Sequence, residues 1–186
     1  MPFAYYARLS PARQRTYRRS DAIERLDLPA GVAAGICVER IRVGLASDER
    51  GAVQASAQAL IDMLAAGYRV PRIRVRVLAR RPADDHGELH GLYEPEDGTT
   101  LARITVWMRT AARKDVVAFK TFLRTLVHEL CHHLDYELYR FEETFHTEGF
   151  YKRESTLVAA LLAQEAGAGV WGSSTSCFDG RADRLQ

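Results

Sequence analysis

Cysteine is sparse in this chain. Cys37, Cys131 and Cys177 are odd in number, widely spaced and form no Cys-x-x-Cys pair. That spacing excludes the disulfide framework of small secreted domains and points to a reducing compartment. Long apolar runs are missing too, since none approaches the roughly 20 residues needed to cross a bilayer. The opening MPFAYYARLSPARQR has no uninterrupted apolar stretch of the secretory kind. These absences lead to the expectation of a cytoplasmic protein without a membrane partner. A strong charge of one sign is also lacking, with 26 basic residues against 24 acidic ones. Locally the balance is uneven. Arg8, Arg13, Arg15, Arg18 and Arg19 have no acid among them, so that segment either meets phosphate or an acidic partner, or is a solvated helix face.

What is present is an ordinary globular composition, 47% apolar and 27% charged. At 186 residues the chain suits one domain with one core. Ser10-Pro11 starts a basic helix reaching to about residue 26, with proline in its first position. Residues 36–45 read as a short strand. Ser47 caps a helix over about 48–66, which Gly67 is placed to end. In RIRVRVLAR, Ile73, Val75 and Val77 alternate with Arg72, Arg74 and Arg76, the period of a half-buried strand. The segments LHGLYEP and LARITVWMR, joined through Asp97-Gly98, read as a hairpin. A helical period then runs over about 115–139, and a second helix over about 147–166. The Gly- and Ser-rich tail 167–186 reads as loosely held. This order predicts a single α+β domain whose core spans about 48–166.

Two stretches carry chemistry: TLVHELCHHLD from Thr125 and FHTEGFYKRES from Phe145. At 100° per residue, Val116, Phe119, Leu123, Leu126, Val127, Leu130 and Leu134 form an apolar stripe. His128 and His132 lie nearly opposite it, beside Thr121, Thr125 and Asp135. Residues four apart point the same way one turn on, so both imidazoles can meet one ion. Glu129 completes His-Glu-x-x-His. It is turned out of the ligand set but stays near a water at the ion, where a carboxylate can take a proton and return it to a leaving amine. A zinc ion needs a third protein ligand. His146, just before the second helix, is the first candidate. Glu154 is its rival and Glu148 a weaker one.

The pairing of HELCHHLD with FHTEGFYKRE resembles the SprT-like branch of the zincin metallopeptidases. In that family a His at the head of a later helix is followed by an aromatic four residues on, as His146 and Phe150 are here, which favours His146. The family usually has Gly after that His, where this chain has Thr147. The resemblance implies a zincin-like fold: a small, mostly antiparallel sheet packed against an active-site helix and flanking helices. It implies one Zn²⁺ held by His128, His132 and His146, with Glu129 as general base in the hydrolysis of a peptide or protein substrate. It also implies that the strand from Ala102 to Met108 is an edge that pairs with extended substrate. The alternative is a non-hydrolytic, metal-stabilised binding protein, with nucleic acid a possible partner.

Asp135 either orients a ligand imidazole or pairs with Arg124 or Arg140. Tyr151 and Arg153 are candidates for an oxyanion contact. His86 and His90 with Asp84, Asp85 and Glu88 have the composition of a second metal cluster but no fixed spacing. His133 and Cys131 read as packing residues.

Overall fold

The computed structural model describes residues 3–84 and 87–170. Among the described residues, five α-helices and a short 3-10 helix (Ala4–Arg8) accompany a three-stranded sheet. Helix α1 is Pro11–Asp21, opened by Ser10, whose side chain accepts a hydrogen bond from the Arg13 N–H. It ends short of residue 26 because Arg153 donates to the carbonyls of Ser20 (2.6 Å) and Ile23 (2.8 Å), closing its last turn.

Residues 36–45, expected as a strand, are instead helix α2, Gly35–Ala46. Val and Ile favour strands only weakly, and the buried set Val38, Ile41 and Leu45 recurs at helical spacing while Ile36 and Val43 face solvent. Helix α3, Arg50–Tyr68, runs through Gly67 and ends on Arg69 in the left-handed conformation at φ 58°. Helices α4, Phe119–Glu137, and α5, Glu148–Val170, follow. α5 continues past Gly167, and the tail from residue 171 lies outside the described residues.

Strands β1 (Arg74–Arg80), β4 (Gly91–Glu94) and β5 (Arg103–Arg109) form one sheet in the order β1-β5-β4. A separate two-residue hairpin, β2 (Ala83–Asp84) with β3 (Gly87–Glu88), lies between β1 and β4. The expected β4–β5 hairpin is there, with Gly91 opposite Val106 and Glu94 opposite Arg103. The sheet is mixed, however, not mostly antiparallel. The chain leaves β1, turns through β2 and β3, and returns so that β5 inserts beside β1 in parallel, with Val75 opposite Ile104.

β5 is the central strand, hydrogen-bonded on both sides, with Thr105 and Trp107 buried as well as Ile104, Val106 and Met108. It has no free edge to offer. The edge beside α4 belongs to β4, which among the described residues is paired with β5 alone.

The helices cover one face of the sheet. Phe122, Leu123, Leu126, Val127, Leu130 and Leu134 of α4 are buried in the common core with Val75, Val77, Ile104 and Val106. This apolar stripe holds α4 against the sheet, and the face that carries His128 turns toward the edge of β4. Val116 precedes the helix and bridges to Arg109 instead of belonging to the stripe. α5 packs across α1, α2 and α4.

Candidate metal centre

α4 supplies His128 and His132 one turn apart. Beyond its end the chain reverses at Arg140, whose φ is 54°, and residues 141–147 return along the helix. Buried Phe141 and Phe145 anchor this segment. Thr147 then caps α5, its hydroxyl accepting from the Phe150 N–H at 2.9 Å. Thr147 thus satisfies a helix terminus where the SprT-like pattern has glycine. Close packing falls on Gly149, where an added Cβ would lie 2.3 Å from the Asp21 carbonyl oxygen.

These elements bring His146 to the other two histidines. The Nε2 atoms of His128, His132 and His146 stand 3.2, 3.1 and 3.0 Å from one another. Nitrogens tetrahedrally disposed about 2.1 Å from one zinc ion would be about 3.4 Å apart, so the cluster is slightly tight and otherwise fits.

The tautomers strengthen the fit. His128 Nδ1 donates to Glu154 Oε2 at 2.8 Å. His132 Nδ1 donates to the Thr144 hydroxyl at 2.8 Å, and Thr144 in turn donates to Asp135 Oδ2 at 2.8 Å. With protons on Nδ1, both Nε2 lone pairs point at one another, and a cation at their focus removes the repulsion. Burial, then the charges of His128 and His146, push His132 down to about 3 from its ordinary value of 6.5. Burial also lowers His146. Neutral imidazoles are the form a metal binds. Among the described residues this trio is the one group arranged to hold an ion.

Glu154 is therefore not among the three converging groups and stands behind one of them, bonded to His128 Nδ1. Its other oxygen accepts from Arg124 at 2.6 Å. Glu148 is exposed and pairs with Lys152 at 3.2 Å, away from the trio. Asp135 does not touch His132 directly and pairs with neither Arg124 nor Arg140. It acts through Thr144 and forms a buried ion pair with Arg153 at 2.7 Å. Burial pushes its carboxyl up to about 6, against the pull of Arg153 and Thr144. Thr144→Val should cut this relay and weaken zinc affinity by roughly 10–100-fold, measured by competition with a chromophoric chelator. An unchanged affinity would show that the relay is idle.

Glu129 lies beside the trio with 6% of its surface exposed. Burial raises its carboxyl to about 7, with His128 and a hydrogen bond from the Tyr93 N–H acting the other way. Gly91 makes this approach possible: a Cβ there would stand 2.3 Å from Glu129 Oε1 and 2.8 Å from Thr125 Cγ2. The trio and Glu129 line a cleft of about 780 Å³. Its walls are the β4 edge on one side and α4 with the start of α5 on the other.

Other candidates separate clearly. Tyr151 lines the cleft, its ring stacked 5.9 Å from that of His146. Arg153 is 1% exposed and bonded to Asp135 and Ser20, so it cannot serve an oxyanion there. His133 is buried between the Tyr93 hydroxyl (3.0 Å) and the Pro71 carbonyl (3.1 Å). Cys131 is buried in the core. Of the suggested second cluster, Asp85 and His86 lie outside the described residues, and Glu88 is engaged by the N–H groups of Ala111 and Ala112. Thr144, Tyr93 and Gly91 were not singled out from the sequence. Only Gly91 had a signal there, as a glycine inside a strand.

Several N-terminal arginines are spent within the chain: Arg13 on Glu143, Arg18 on the Tyr6 hydroxyl and Arg19 over the Phe141 ring. No helix among the described residues is long and apolar enough to cross a membrane. No protein-family model, curated protein or solved structure matches the chain.

Proposed function

We propose that this chain is a zinc-dependent metallopeptidase of the SprT-like zincin type, hydrolysing peptide bonds in extended segments of protein. The observation that carries the reading is the meeting of three imidazole Nε2 atoms within 3.2 Å, with the buried carboxyl of Glu129 beside them. The two motifs that resemble the family supply these four residues in sequence.

His128, His132 and His146 would hold the ion. Zinc, when bound, polarises a substrate carbonyl and acidifies a water. The chain does the rest. Glu129, held near neutrality by burial, accepts a proton from the attacking water at its Oε1 or Oε2 and passes it to the leaving nitrogen. Glu154 and the Thr144–Asp135 pair keep two imidazoles in the ligating tautomer. β4 offers a strand edge along the cleft, where main-chain hydrogen bonds can align a peptide with little demand on its side chains.

Gly91→Ala is expected to retain zinc yet lower kcat by about 100-fold, because the added methyl displaces the base by the order of an ångström. Full activity in that variant would show that Glu129 need not stand against β4. The reading as a whole is tested with zinc-loaded protein and an unfolded protein such as casein. Cleavage should occur, stop on chelation and return with added zinc. A fully zinc-loaded protein that cleaves no peptide bond would contradict it.

A further inference from the structure

Resting on the hydrolytic reading above, we propose that Arg124 makes the site select a carboxylate on the leaving-amine side of the bond it cuts. Arg124 stands one turn before His128 on α4, so its side chain shares the cleft-facing side of the helix. Among the described residues lining the cleft it is the one arginine or lysine.

Its pairing fixes it without using it up. Nη1 donates to Glu154 Oε1 at 2.6 Å and to Ser155 Oγ at 3.4 Å. Nε and Nη2 have no hydrogen bond among the described residues, and the side chain is 53% exposed. These two groups form the side of the guanidinium that matches a carboxylate with two parallel N–H donors. Because Glu154 holds the other end, the fork is set in place before a ligand arrives, which lowers the entropy lost on binding.

The direction follows from Glu129. The leaving nitrogen takes its proton from that carboxyl, which abuts Gly91 and Thr125. Of the residues lining the cleft, Thr121 and Arg124 lie on the first turns of α4, on the Thr125 side of Glu129. Tyr136 lies about two turns beyond Glu129, with its ring 6.1 Å from that of Tyr93. The segment beyond the leaving nitrogen therefore runs toward Arg124. The carboxylates already there do not compete for it: Glu88 is held by Ala111, Ala112 and Arg81, and Glu154 by His128 and Nη1.

The carboxylate could be an Asp or Glu side chain or the end of a peptide. The test begins by mapping cleavage sites of the zinc-loaded parent in a peptide library by mass spectrometry. One cleaved peptide is then made with Glu or Gln on the leaving side, and with a free or an amidated C-terminus. The parent should favour one carboxylate form over its neutral counterpart by about tenfold in kcat/KM, mostly through KM. The Glu and Gln pair reports a side-chain source, and the free and amidated pair a chain-end source. Arg124→Gln, with zinc content verified, should cleave both members of the sensitive pair at the parent's slower rate. Were Arg124 only a support for Glu154, the variant would slow both peptides alike and keep the parent's preference, and that result overturns the inference. Cleavage by the parent with no preference overturns it while leaving the peptidase reading intact. Absence of any cleavage overturns both.

Discussion

Glu129→Gln should keep one zinc per chain and lose hydrolysis by roughly 10²–10⁴-fold in kcat, the usual contribution of a positioned proton carrier. The substitution preserves shape and leaves the three imidazoles untouched, because Glu129 is not among the three groups whose ligand atoms converge. What it removes is a carboxyl beside the trio that, unlike Glu154 and Asp135, has no arginine or lysine bonded to it among the described residues. A second readout comes from stability without metal. Burial raises the Glu129 carboxyl from 4.5 to about 7, so between those values the unfolded chain has released a proton that the folded chain still holds. Stability from this group is present below pH 4.5 and is lost as pH rises through 7. The metal-free Gln variant should lack that decline and be the more stable protein above neutrality. Equal hydrolysis by parent and variant would show that Glu129 is not the proton carrier.

The second large effect separates ligand from supporting carboxylate. His146→Ala should release the ion, leaving two imidazoles where zinc needs three protein ligands. Glu154→Ala should retain one zinc per chain with affinity weakened by about 10–100-fold, because Glu154 orients His128 without reaching the ion. Elemental analysis of both purified variants reads this directly. Metal lost from Glu154→Ala and kept by His146→Ala would reverse the assignment.

How far the sequence reveals the site depends on whether its information is local. His128, Glu129 and His132 sit on one helix, and helical geometry alone brings them to one side of it. His146 required more, because nothing local says where a chain returns after thirteen residues. There the family resemblance chose His146, and the structure places its nitrogen with the other two. Asp135 shows the limit. The wheel put it on the histidine side, yet it is wholly buried, because Arg153 reaches it from α5 and Thr144 stands between it and His132. Arg153 likewise read as a reachable cation, when its partners Ser20 and Ile23 lie some 130 residues earlier. The fold follows the same division. α4, α5 and the β4–β5 hairpin were legible from period and turn residues. The parallel β1–β5 pairing was not, since strand order is set by how distant segments pack. Residues 36–45 looked like a strand through their Val and Ile content, and contact with α3 and α5 decided for a helix.

The central claim is that His128, His132 and His146 together hold one zinc ion. X-ray absorption of the zinc-loaded protein tests it most directly. The expected spectrum has three imidazole nitrogens at about 2.0–2.1 Å and one further light-atom ligand. A stoichiometric ion bound by two imidazoles or fewer, or by sulfur near 2.3 Å, would contradict it.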